Sequence, residues 1–302
     1  GLGFFLFTHQ STNAPVATNS IVGQAFFVSS GQVNQTTNQG ITDEFQIDLQ
    51  NIPNPQSGKS YYAWLLPDKS QVEAAPILLG TLPVNHGVVH FSYMGDSNHS
   101  NLLATTSRFL ITEQDANITV NIPSPDLATW RYYAELPQTP APGQTFSLVD
   151  HLRHLLASDP DLEKVPLHGG LNIWAYRNIQ KILEWAGSAR DDWSTKDFSS
   201  IHRWTVSILD YLDGATLVQQ DVPAGTPILA DPTISQVGLL ELHAGQNPPG
   251  YLYHIALHLN GVLSSPGATQ YQRNLATQIN TGINNVNGWL QQERQDAIQL
   301  VH

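Results

Sequence analysis

Hydrophobic and polar positions follow a period of two through the first half of the chain and a period near 3.6 through the second. The run DEFQIDL alternates strictly, with Phe45, Ile47 and Leu49 on one face and Glu44, Gln46 and Asp48 on the other; NITVNI repeats the pattern with Ile118, Val120 and Ile122. Further strand-like runs are IVGQAFFV (21–28), SYYAWLL (60–66), PILLG (76–80), GVVHFSY (87–93), SRFLIT (107–112) and WRYYAEL (130–136), separated by turn-formers such as Asn54-Pro55, Pro67-Asp68 and Gly95-Asp96. Short strands at this spacing predict an antiparallel β-sandwich over 21–136. PQTPAPGQT follows, and its three prolines and one glycine predict a semi-stiff linker over 137–146.

Beyond it the apolar positions move onto helical stripes. Ser147 is placed to cap a helix carrying Leu148, Val149, Leu152, Leu155 and Leu156, ended by Asp159-Pro160. Helices are expected at about 170–187 and 198–212, a short one at 232–243, and two more at about 250–263 and 267–301. In the last, Ala276, Ile279, Ile283, Val286 and Leu290 form a coiled-coil-like seam. The fold class is therefore multidomain β plus α, an N-terminal sandwich followed by a C-terminal α-helical bundle over 147–302.

The first ten residues, GLGFFLFTHQ, stand apart from both halves. Leu2, Phe4, Phe5, Leu6 and Phe7 form an apolar segment without charge, and a polar arm carries the chain on to residue 20. The segment lacks the basic start and the cleavage site of a signal peptide and resembles the tail of one, or the end of a membrane helix. That points to a mature or trimmed extracytoplasmic product. An apolar strand on a polar arm suits strand addition to a groove, in the same chain or in a neighbouring copy. A head-to-tail contact of that kind builds a ring or a filament.

Composition narrows the function classes. The 302 residues carry 13 basic and 25 acidic side chains, a net charge of -12, which repels phosphate backbones and argues against nucleic acid as a partner. Charged residues make up 13% of the chain, about half the usual share, so solubility rests on amides and hydroxyls. With few charges to desolvate, such a surface suits contacts between copies of the chain. Cysteine is absent, which removes disulfides, thiolate catalysis, iron–sulfur clusters and covalent haem attachment together. No stretch reaches the roughly 18 apolar residues that span a bilayer, so a membrane enters only through an anchor since lost.

Candidate chemistry centres on histidine. His151 and His154 stand at i,i+3, and His254 and His258 at i,i+4, spacings that put two imidazoles on one helix face as a metal or a b-type haem requires. On a wheel of roughly 100° per residue both pairs point away from the apolar stripes of their own helices, which predicts solvated or interface histidines and no cofactor. The acidic clusters ARDDW (189–193) and DPDLE (159–163) read as helix-end and loop charges and lack the spacing of a calcium loop. His168, before Gly169-Gly170, reads as a loop closure. Tyr61, Tyr62, Trp64, Trp130, Tyr132 and Tyr133 fit a sandwich core better than a sugar platform. No nucleophile elbow, HExxH or phosphate-cradling glycine loop occurs, and the chain is expected not to be an enzyme.

The stretch SGKSYYAWLLPDKSQVEAAPILLGTLPVNHGVVHFSY, with NLLATTSRFLITEQDAN after it, resembles the extracytoplasmic C-terminal domain of anti-sigma-K-type factors. The resemblance rests on Tyr61 and Trp64, Gly80, Gly87 and Thr112-Glu113, and covers about residues 20–137. It implies a sandwich placed outside the membrane after a single membrane helix, and it supplies no catalytic residue. The family's sigma-binding domain has no counterpart here. The leading expectation is a non-enzymatic surface protein that assembles with copies of itself through its apolar segment. The alternatives are the ectodomain of a membrane-anchored regulator sensing an envelope signal, and a metal or haem carrier using the four histidines.

Overall fold

The computed structural model describes residues 4–9, 21–34, 37–71 and 73–302, with the backbone alone for 4–9. The chain divides into two compact units, Gly1–Arg153 with Ser265–Ala268, and His154–Ser264 with Thr269–His302. The first is antiparallel β, the second helical.

In the first unit the strands are β1 (Phe4–His9), β2 (Ile21–Val28), β3 (Glu44–Gln50), β4 (Lys59–Leu66), β5 (Ile77–Leu82), β6 (Val88–Tyr93), β7 (Arg108–Asp115) and β8 (Trp130–Glu135). They are ordered β5-β4-β7-β8-β1-β2-β3-β6, with every pairing antiparallel. The apolar segment is thus a strand of its own sheet: the β1 backbone pairs Phe4 with Phe26 on one side and Thr8 with Tyr133 on the other. Leu2 lies outside the described residues.

The alternation read from DEFQIDL holds in space. Phe45, Ile47 and Leu49 are buried, and Phe45 stacks on Phe109 of β7 with ring centroids 5.4 Å apart. The aromatic strands are core as well: Trp64 is fully buried with Tyr62 beside it and donates its Nε1–H to Thr112 Oγ1 at 2.9 Å, while Tyr61 and Tyr132 are buried edge to face with each other. Satisfying that one indole donor matters, because a buried unpaired N–H costs about 1–3 kcal/mol. NITVNI departs from expectation and is not a strand. Both edges of β7 are already taken, by β4 and β8, so only Val120 tucks under Trp64 and Leu110 while Ile118 and Ile122 stay exposed.

A short helix, α1 (Leu102–Thr105), is capped by Asn101, whose side chain accepts from Ala104 N. Residues 137–146 carry neither strand nor helix. Helix α2 (Leu148–Leu156) starts as predicted, with Ser147 and Asp150 bonded to each other. Arg153 on that helix forks onto Asp68 at 2.6 and 2.7 Å. Burial pushes the Asp68 carboxyl up, but Arg153, Ser107 and Arg108 together outweigh it and hold the group below its ordinary value.

The second unit contains α3 (Pro160–Glu163), α4 (Leu171–Thr195), α5 (Phe198–Asp213), α6 (Tyr251–Ser264) and α7 (Gln270–Val301). The two-residue turn between α4 and α5 uses Lys196 at φ +61, and Asp197 then caps α5 by accepting from Ser200 N. Trp185 and Trp204 stack across that hairpin, 4.8 Å apart and nearly parallel. Val206, Leu209, Val218, Val222, Ala297 and Val301 form the core of one end. Helix α7 opens on a Thr269/Gln272 capping box. Along its predicted seam Ala276 is buried and the other positions half-buried. The helix expected at 232–243 is reduced to one 3-10 turn, Ile234–Gln236. Gly238 ends it, because its backbone passes so close to Asp213 that an added methyl would fall 2.4 Å from that residue's carbonyl carbon.

Candidate metal centre

The segment joining α2 to α4 folds back tightly on itself. Gly170 lets the chain pass against the end of α2, where an added methyl would lie 2.5 Å from the Leu155 carbonyl oxygen. Asp159 N donates to Gly169 O at 3.2 Å, and His168 closes the loop onto Glu163 at 2.8 Å. The stretch that sequence reasoning takes for a helix end is therefore a helix start. Asp159 is the N-cap of α3 and Pro160 sits in the first turn, where its missing N–H costs nothing.

Capping uses half of the Asp159 carboxylate. Oδ1 accepts from Asp161 N at 3.0 Å and from Leu162 N at 3.1 Å. Oδ2 is buried without a hydrogen-bond partner among the described residues. It faces His254 Nε2 at 3.5 Å and His258 Nε2 at 3.6 Å, both too long for a full hydrogen bond. His154 completes this side, its ring 4.7 Å from that of His258, and the His254 and His258 rings are 5.1 Å apart. Asp161 stands at the rim, one third exposed, with one oxygen 4.0 Å from His254 Nε2 and the other 2.5 Å from Lys164 Nζ.

Two sets of donor atoms share Asp159: His154, Asp159 and His258, and Asp159, Asp161 and His254, each set lying within 4.8 Å. These buried His and Asp groups are placed to hold a metal ion. Ligands at about 2.0–2.1 Å from a tetrahedral zinc lie about 3.4 Å from one another, within a few tenths of an ångström of the two Oδ2–Nε2 distances. The charge states suit the same purpose. Burial pushes the Asp159 carboxyl up, yet the nearby His258 and the charges of His254 and His154 outweigh it and hold the group below its ordinary value. Burial pushes the His254 imidazole down, against the opposing pull of Asp159. A carboxylate beside neutral imidazole is the protonation state that a metal needs.

The predicted histidines divide accordingly. His154, His254 and His258 come together; His151 belongs to neither donor set and packs its ring edge-on to Phe146, centroids 5.8 Å apart. Of the expectation of solvated or interface histidines, the solvated part fails for all four, which are buried. A single helix wheel sees one packing face, whereas α6 packs against both α4 and α7. The spacing suits an ion and not a haem, whose flat macrocycle has no slot between imidazoles 4.7 and 5.1 Å apart. Asp159 and Asp161, passed over as helix-end charges, supply the acidic ligands. The sequence signal for them is His154 followed five residues later by Asp-Pro-Asp, a helix stop and restart that returns a carboxylate to the histidine.

A second Ser/Asp/His grouping has a different geometry. In the first unit, Ser30 Oγ and His99 Nδ1 both contact Asp43 Oδ2, at 2.7 and 2.9 Å, so the acid stands between serine and histidine. A nucleophilic triad needs the histidine in the middle; this arrangement staples a loop. No protein-family model, curated protein or solved structure matches the chain.

Proposed function

We propose that the helical unit is a metal-binding module that holds one divalent transition-metal ion of the zinc type. Its ligands are Asp159 Oδ2, His258 Nε2 and the His154 imidazole, with His254 and Asp161 beside them in the second set that shares Asp159. The observation that carries this reading is the unsatisfied, fully buried Asp159 Oδ2 set at ligand spacing from two imidazole nitrogens. Two imidazoles and one carboxylate around a divalent ion leave a single positive charge and one tetrahedral position unfilled. Calorimetric titration of the chelator-treated chain with zinc tests it. One equivalent is expected to bind, and His258→Ala to weaken binding by at least about 100-fold, since even partners behind the ligands are worth about 10–100-fold. Zinc binding that is absent, or indifferent to His258, sinks the reading.

A second reading is favoured by the place of Phe4–His9 between β2 and β8. Here the β half is a sandwich completed by its first strand, and that strand is supplied by a neighbouring copy, giving an extracytoplasmic surface assembly. Electron microscopy of the full chain beside a version lacking residues 1–10 separates the cases. Fibres or rings lost with the deletion support assembly, and single particles in both samples remove it.

A further inference from the structure

We propose that the metal centre keeps one coordination position for a small oxygen or anionic ligand, such as hydroxide or a compact monoanion, received by the hydroxyl of Tyr251. This inference rests on the metal reading above.

Tyr251 opens α6, one turn before His254 and two turns before His258, so the three side chains share one stripe of that helix. It is fully buried, and its hydroxyl has no hydrogen-bond partner among the described residues. A hydroxyl taken out of water and left unpaired costs about 1–3 kcal/mol, and a ligand seated on the metal relieves that cost. The negative charge of Asp159 and the positive charge of Arg177 both act on the phenol, which places it within the electrostatic reach of the centre. Burial dominates and pushes the phenol well above its usual range. Tyr251 therefore keeps its proton and serves as a hydrogen-bond donor, not as a phenolate ligand.

The charges name the ligand class. Arg177 is buried and lies over the Trp174 ring, 4.7 Å from its centroid. Asp161 is paired with Lys164, so a divalent ion with Asp159 and Arg177 leaves a net positive charge, which a monoanion lowers and a neutral ligand does not. Buried charge without compensation is costly, so the site prefers an anion, with Tyr251 donating to it.

Cobalt(II) in place of zinc makes the coordination visible, and azide is the probe. One equivalent of cobalt is expected to bind both the unaltered chain and Tyr251→Phe. Azide is expected to change the visible cobalt bands of the unaltered chain saturably, and to bind Tyr251→Phe about tenfold more weakly or worse, the loss of one hydrogen bond to a charged acceptor. Cobalt bound with bands indifferent to azide overturns this inference and leaves the metal reading standing, as does equal azide affinity in the two proteins. Cobalt that fails to bind either protein removes both.

Discussion

Asp43 in the β unit and Asp159 in the helical unit are equally buried and differ in what meets their second oxygen. Asp43 receives Ser30 N at 2.8 Å on Oδ1, and Ser30 Oγ and His99 on Oδ2, so both oxygens are used within the protein. Asp159 spends Oδ1 on the cap of α3 and turns Oδ2 toward imidazole nitrogens just beyond bonding distance. A buried carboxylate that is fully answered holds a fold together. One that is half answered asks for a cation. Asp210 on α5 shows the other way out: it is buried, its Oδ1 lacks a partner among the described residues, and burial pushes its pKa up to about 6, against Ser235. Where imidazoles surround the acid it stays charged; Asp210, without them, takes up its proton as pH falls toward 6.

The largest effect is expected at the answered acid. Asp43→Ala strands Ser30 and His99 and should cost about 3 kcal/mol or more of stability, the usual result of removing one member of a buried charged network. Urea unfolding of the chain reads it, and zinc affinity should not change. A loss of zinc affinity in that variant would break the distinction between the two acids.

Zinc itself comes next. At about 100 times its dissociation constant, a ligand bound only by the folded state adds about 2.7 kcal/mol, so the melting temperature should rise with zinc. In Asp159→Ala that rise should vanish, while stability in chelator falls by only about 1 kcal/mol through loss of the cap.

Asp210 gives an effect with a pH signature. Its folded pKa, about 6, lies above the ordinary 3.8, so the folded chain binds a proton that the unfolded chain has already lost. Its contribution is fully present below pH 4 and is lost as pH rises from about 4 to 6. Asp210→Asn should flatten that part of the stability profile and leave the chain more stable at pH 7, as chemical denaturation across pH will show; an unchanged profile would overturn the assignment. The smallest effect belongs to Asp161→Asn. At the rim, 4.0 Å from His254, its loss should weaken zinc binding by less than about tenfold, read by the same calorimetry.

Periodicity was a good guide where each element buries one face. DEFQIDL, the helix start at Ser147, and the starts of α5 and α6 follow from local rules, because alternation and capping are settled within a few residues. NITVNI shows the limit. Its pattern is that of a strand, but a strand needs a free neighbour, and β4 and β8 already flank β7. The metal centre was half legible for the same reason. Helical spacing marks His254 and His258 as a pair, while the role of Asp159 depends on a loop that reverses through Gly169 and Gly170, and no single-helix pattern contains that reversal.

Asp159 and His258 stand roughly a hundred residues apart in a chain without cysteine. An ion held by both is a cross-link between distant segments, and closing a loop of about 100 residues is worth up to about 4.7 kcal/mol in the chain-entropy account of disulfides. Such an ion would be a removable staple: formed without an oxidant, indifferent to thiols, and undone by a chelator.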